Sequence, residues 1–319
     1  MQRGATIPRT GAGRFGWVLA FLLFLAGCAG GPGGDSPVVQ QPAGKGEPFV
    51  LWMLSDIQAK TAEERQAFEK TIDDVNAQVP RVDMGVIAGD LMASRSRDEA
   101  FSWFLNTRNR SKARHWFELA GNHDARSQPL FNHYFPRPAA YGVEFGNVLV
   151  LLLADTVASS ATEISDAAFA WWRDMVLGNQ QRIIITVSHA QLEESGLLGS
   201  SIADRRIDRS ARFEDVLRHA RVDVWASGHC HLPHWLPATV SIQEELGGTC
   251  FINVSAIQPG MLMDSQSRLF FFTEDSDTLL IRSRNHTAGR FQEGRDVVIR
   301  LSKPFVRGEK EPRVISGPR

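Results

Sequence analysis

The sequence predicts one α/β domain, about residues 48–302, built from two sheets with helices outside them. From Pro48 onward, short apolar runs alternate with amphipathic segments that open at capping residues, the rhythm of βαβ units and a largely parallel sheet. Beyond residue 140 a hairpin interrupts that rhythm, and after His231 the chain reads mostly as strands. Hydrophobic residues make up 43% and charged residues 22%, the balance of a globular chain with a sizeable core.

Taken in order, Phe49 to Leu54 is a buried strand. Thr61 to Val79 is a helix, with Thr61 and Glu64 spaced as a capping box and Phe68, Ile72, Val75 and Val79 on one face. Val82 to Ala88 is the next strand, and Ser96 and Glu99 are spaced to cap a second helix facing inward with Phe101, Phe104 and Leu105. His115 to Leu119 is a strand. Tyr141 to Phe145 and Val148 to Ala154 flank Gly146-Asn147, a hairpin turn. A helix from Ser165 (Phe169, Trp172, Val176) leads to the strand Ile183 to Val187. A second helix, Ser210 to Ala220, leads to Val222 to Ala226. The strands Cys250 to Ala256, Leu269 to Thr273, Thr278 to Arg284 and Val297 to Leu301 follow, and residues 303–319 read as a loose tail.

The first 27 residues stand apart from the fold. Arg3, Arg9 and Arg14 precede an apolar run, Phe15 to Ala26, that is short for a membrane span, which is the layout of a secretory signal. The run ends Leu25-Ala26-Gly27-Cys28, which resembles the lipobox of bacterial lipoproteins. The resemblance implies cleavage before Cys28, lipid on its sulfur, and a location in the cell envelope on a bacterial membrane. In an organism with an outer membrane, that means the face toward the periplasm. Residues 28–47, rich in Gly, Pro, Gln and Ser, form a flexible tether of roughly 25 Å r.m.s. reach. A net charge of −1 lacks the basic excess of a nucleic-acid binder.

Five short stretches, each closing an apolar run, carry metal-type ligands. They are Ser55-Asp56-Ile57-Gln58, Ala88-Gly89-Asp90, Gly121-Asn122-His123-Asp124, Ser188-His189 and Gly228-His229-Cys230-His231. Strand ends are where open α/β sheets place their sites. Two close divalent cations need a bridging carboxylate with imidazole and oxygen donors on each side, and Asp56, Asp90, Asn122, His189, His229 and His231 supply that set.

The order of these motifs resembles the calcineurin-like metallophosphoesterase superfamily, from Phe49 to about Arg290. The resemblance implies a four-layer α-β-β-α sandwich of two mixed sheets with a two-metal site at the strand ends. It implies that Asp56, Gln58, Asp90 and His231 hold the first cation (Mn, Fe, Mg or Zn). Asp90 then bridges to the second, completed by Asn122, His189 and His229. A bridging hydroxide attacks phosphorus, and His123 faces the leaving-group oxygen with Asp124 orienting its ring. The superfamily usually has His where this chain has Gln58, so the first site is expected to hold soft or borderline cations less well.

The remaining candidates are weaker. Arg205, Arg206, Arg209 and Arg212 form a basic run that either holds an anionic substrate or is a solvated face. His234 either lines the pocket or sits on a solvated loop. His115, His133, His219 and His286 lack motif context, and Trp171 and Trp172 read as core. Cys230 and Cys250 are left as a possible disulfide. Two functions follow: a lipid-anchored phosphoester hydrolase, mono- or diesterase, or a non-catalytic surface lipoprotein that keeps the fold to bind a ligand or partner.

Overall fold

A computed structural model describes residues 46–154, 162–260, 263–308 and 311–318. The expected signal segment, Cys28 and nearly all of the tether lie outside the described residues. Among the described residues no helix is long and apolar enough to cross a membrane.

The first half forms β1 (Phe49–Leu54), α1 (Ala62–Gln78), β2 (Met84–Ala88), α2 (Asp98–Arg108), β3 (His115–Leu119) and α3 (Gln128–Tyr134). β4 (Ala140–Phe145), β5 (Val148–Leu153), α4 (Asp166–Gly178), β6 (Ile183–Ser188), α5 (Ala211–Leu217) and β7 (Val224–Ser227) follow. The chain ends with β8 (Val240–Gln243), β9 (Thr249–Asn253), β10 (Gln266–Phe272), β11 (Thr278–Asn285), β12 (Arg290–Phe291), β13 (Val297–Arg300) and β14 (Arg313–Ser316). One sheet runs β12-β11-β10-β1-β2-β3 with β13 on β11, and the other runs β14-β4-β5-β6-β7-β9-β8. Both are mixed: β1, β2 and β3 pair in parallel while β10 joins β1 antiparallel, and β5, β6 and β7 are parallel while β4 joins β5 antiparallel.

The layering follows from side-chain period. In β5, Val148, Val150 and Leu152 enter the core shared by the two sheets, and Leu149, Leu151 and Leu153 enter a second core with Trp172 of α4 and Phe213 of α5. Such double burial explains why these parallel strands read as unbroken apolar runs. α1 covers the other sheet through Phe68, Ile72 and Val75. Its capping box forms as expected, with Thr61 N donating to Glu64 Oε2 (2.6 Å) and Glu64 N to Thr61 Oγ1 (3.2 Å). The box expected at Ser96 does not form. α2 starts one residue later than that spacing requires, at Asp98 after Arg97, and Ser96 Oγ turns back to the Ala93 carbonyl (2.6 Å).

Residues 303–308 and 311–318 do not form the loose tail expected of 303–319. Phe305 is fully buried against Phe49, Phe145 and Phe272, and β14 pairs antiparallel with β4. Cys230 and Cys250 are free; the Cys230 thiol lies 3.6 Å from the Arg205 carbonyl.

Candidate metal centre

The carboxyl ends of β1, β2 and β3 lie side by side, as do those of β6 and β7. Past them the backbone turns abruptly: Asp56, Gln58, Asp90, His229 and His231 all have φ between 41° and 62°. Residues with side chains pay a cost in this left-handed region and persist there only when their surroundings over-determine them, commonly at functional sites. Here the turns are held by Ile57 N and Gln58 N, which both donate to the Asp90 carbonyl (2.9 and 3.2 Å). Glycines make the close approaches possible. A Cβ at Gly121 would collide with the Asp90 carboxylate, and one at Gly228 with Ser55 Oγ and the Asp56 carboxylate.

Asn122, His189, His229 and Asp90 converge on one point. His189 Nε2 lies 3.2 Å from Asn122 Oδ1, 3.2 Å from Asp90 Oδ2 and 3.2 Å from His229 Nδ1. The outer ring nitrogens set the tautomers. His189 Nδ1 faces the Ala88 carbonyl (2.8 Å) and His229 Nε2 the Asp204 carbonyl (2.9 Å), and only an N–H can face a carbonyl oxygen. In neutral rings the inward nitrogens therefore carry lone pairs, not protons. Burial, then the neighbouring His189, push the pKa of His229 down to about 4, so its ring is neutral near pH 7. A proton on His189 Nε2 could point at only one of its three neighbours, whereas a cation satisfies them all. Asp90, His189 and His229 form a buried cluster whose ligand atoms lie within 4.8 Å of one another, and it can hold a metal ion.

Beside it, His231 Nε2 meets Asp56 Oδ1 at 2.9 Å, and His229 N donates to Asp56 Oδ2 at 2.8 Å. Burial alone would raise the Asp56 pKa, but His231 and His189 hold it well below the usual carboxylate range. Gln58, nearly buried, donates its amide nitrogen to Asp90 Oδ2 at 2.7 Å. It thus reaches the carboxylate expected to bridge; half a turn about its last bond would present the amide oxygen instead.

His123 stands at the rim, its side chain one-third exposed, with Nε2 3.9 Å from Asp90 Oδ2. Its expected partner is wrong. The Asp124 carboxylate accepts from the amides of Leu91 (3.0 Å), Met92 (2.9 Å) and Gly121 (3.0 Å), so it staples the Asp90 loop to the Asn122 loop. Burial and the nearby Asp90 push its pKa up to about 7 against those three bonds. The His123 ring is instead met at Nδ1 by Ser94 Oγ (2.8 Å), which accepts from Arg126 (3.1 Å). Ser94 lies in an unremarkable polar run, and nothing in that run signals the contact.

The basic run divides. Arg206 pairs with Glu193, Arg209 with Asp166 and Glu163, and Arg212 with Asp166 while lying over Phe169 and Phe213. Arg205 is exposed, makes no ion pair among the described residues, and adjoins the Asp204 carbonyl that holds His229. His234 neither lines a substrate pocket nor faces solvent: it is 1% exposed, and its ring nitrogens have no well-formed hydrogen bond, with only a weak contact to the Val254 backbone. Burial, with Arg268 near, holds it well below the usual histidine range.

Two packed mixed sheets with convergent Asp, Asn and His at their strand ends define an α/β sandwich whose site can hold a metal ion. Residues 49–233 match the model of the calcineurin-like phosphoesterases, and the chain belongs to that family. Comparison with curated proteins finds no match. Among solved structures, a dimetal phosphatase from Danio rerio is similar at 12% identity and a TM-score of 0.64, over 81% of this chain and 100% of that one. The purple acid phosphatase PPD1 from yellow lupin seeds is similar at 13% identity and 0.58, over 85% of this chain and 54% of that one. GAP50, the anchor in the inner membrane complex of Plasmodium, is similar at 13% identity and 0.54, over 83% and 91%. At these identities the likeness is one of fold.

Proposed function

We propose that the protein is a two-metal phosphoester hydrolase held outside the cytoplasm by lipid on Cys28. The observation that carries the reading is the set of inward-facing lone pairs on Asp90, Asn122, His189 and His229. Asp56, Gln58, Asp90 and His231 would hold a first divalent cation, and Asp90, Asn122, His189 and His229 a second. Cations held there would activate water and offset charge on the phosphoryl oxygens.

The chain's own residues account for the rest. His123 presents Nε2 toward the site; when water adds to phosphorus and the P–O bond to the leaving group breaks, the departing oxygen takes the proton from that nitrogen. Ser94 Oγ on Nδ1 keeps the ring in that orientation. Arg205, with no acid paired to it among the described residues, is the member of the basic run available to a phosphate oxygen. The anchoring part rests on the charged, short, apolar N-terminus ending at Cys28 and on the tether after it.

A non-catalytic surface module is the competing reading. Metal binding alone does not call for a histidine aimed into the site by a second residue, and His123 is so aimed. Assay of the mature protein against phosphomonoesters and diesters with Mn²⁺, Mg²⁺, Fe²⁺ and Zn²⁺ tests the enzyme reading. Hydrolysis of one ester class is expected. Retained metal with no turnover on any ester would favour the binding module.

A further inference from the structure

β9 ends at Asn253, a fully buried amide between the equally buried Ile252 and Val254. A buried amide that leaves its donor or its acceptor unmatched costs stability, so the partners of this one are informative. Its Nδ2 donates to the Gly228 carbonyl at 2.7 Å, and its Oδ1 accepts from Ser255 N at 2.9 Å. Gly228 opens the loop that carries His229 and His231. Ser255 stands at φ 67°, a conformation that serine keeps only when its surroundings hold it there. The segment it starts reaches the other ligand loop. Ile257 N donates to the Ser55 carbonyl (3.0 Å) and Gln258 N to the Asp56 carbonyl (2.8 Å).

The main chain of Asn253 is held as well. Its N–H donates to the Thr239 carbonyl (2.9 Å), and its carbonyl accepts from Arg268 Nε (2.9 Å). Arg268 is 1% exposed and makes no ion pair among the described residues; its remaining donors go to Ser283 Oγ (2.9 Å) and Thr239 Oγ1 (3.2 Å). Burial brings its pKa down to about 9, so it stays charged near pH 7 and backs the Asn253 peptide with a charge-assisted bond. We propose that Asn253 is a positioning residue that clamps the Gly228–His231 loop to the Ser55–Gln58 loop. The clamp sets the ligands of both cations at their working separation before either cation binds. Both polar atoms of the Asn253 side chain are taken by backbone groups, so it acts through Asp56, His229 and His231 and ligates nothing itself. This assignment rests on the two-metal reading and carries it to a residue outside the five ligand stretches.

The test is calorimetric titration of the metal-free protein with Mn²⁺. Asn253→Asp keeps the size and the acceptor but removes the donor and sets an oxygen against the Gly228 carbonyl. Each cation then loses the placement of a ligand, so both equivalents are expected to bind about 10- to 100-fold more weakly. Asn122→Ala, which takes one oxygen donor from the second set, is expected to weaken that equivalent alone. Wild-type affinities in Asn253→Asp, even with a lower urea midpoint, would reduce Asn253 to a strand-end residue and overturn the proposal. Weakening of a single equivalent would overturn it too. Hydrogen exchange on the wild type needs no variant to fold. The amides of Ser255, Ile257 and Gln258 are expected to exchange slowly in the metal-free protein. Fast exchange that Mn²⁺ slows would show that the metal, and not Asn253, holds the loops. If no ester is hydrolysed yet both equivalents weaken in Asn253→Asp, the clamp stands and only the enzyme reading falls. A wild type that takes up no Mn²⁺ would remove both.

Discussion

His123 and Ser94 form the smallest unit of the site. Ser94 Oγ meets Nδ1 at 2.8 Å while Nε2 points inward, so in the proposed reaction the serine would act through the ring and not on the substrate. His123→Ala should keep its metals and lose about 10²–10⁴-fold in kcat on esters with poor leaving groups. Ser94→Ala should lose less, and the double variant should match His123→Ala, since two residues acting as a unit are not additive. Additive losses would break the link. At Gln58, the change to His places an imidazole beside Asp90 and should tighten Zn²⁺ binding at the first site; unchanged affinity in a titration of metal-free protein would show that Gln58 touches only the carboxylate. The candidate ligands were legible because their stretches close apolar runs: Asp90, Asn122 and His229 each follow a glycine directly, and Asp56 and His189 lie within two residues of a strand end. The role of Asp124 was not: adjacency to His123 in the chain says nothing about where its carboxylate turns, and three backbone amides claim it.

At the scale of elements, the site depends on loops brought within contact of one another. Gly121→Ala would drive a methyl group into the Asp90 carboxylate and to 2.6 Å from the Asp90 amide. Both must shift, so metal content should fall while far-UV circular dichroism stays native; a full metal complement would contradict the tight approach. The strands with double-sided burial were legible from their apolar runs, as were α1 and α4 from their caps. β8, β14 and α3 were not. β8 and β14 are four-residue edge strands, mostly half-buried or exposed, so little apolar pattern marks them, and α3 is only seven residues long. Because β14 covers the β4 edge, a chain ending at residue 308 should unfold at lower urea while binding metal normally. An unchanged midpoint would make β14 incidental.

For the whole molecule, two buried histidines away from the metal ligands couple stability to pH. Burial holds both His234 and His286 below the usual histidine range, His286 despite its hydrogen bond to Asp74. The unfolded chain takes up protons on them below about pH 6.5 that the folded chain refuses, so their contribution is present above that pH and is lost as pH falls. The urea midpoint should therefore drop between about pH 6.5 and 5, and a flat profile would contradict their burial. The anchoring proposal also belongs at this scale: Cys28→Ala should leave the protein unlipidated and abnormally processed, and wild-type processing and fractionation would refute the anchor.

The central claim is that the strand ends hold two catalytic divalent cations around Asp90. Elemental analysis of the metal-depleted protein reloaded with Mn²⁺, with phosphoester turnover read on the same samples, tests it most directly. The account predicts two equivalents per chain, turnover that chelation abolishes and Mn²⁺ restores, and loss of both metal and turnover in Asp90→Ala. Turnover that survives chelation, or an Asp90→Ala variant with its metal content intact, would contradict it.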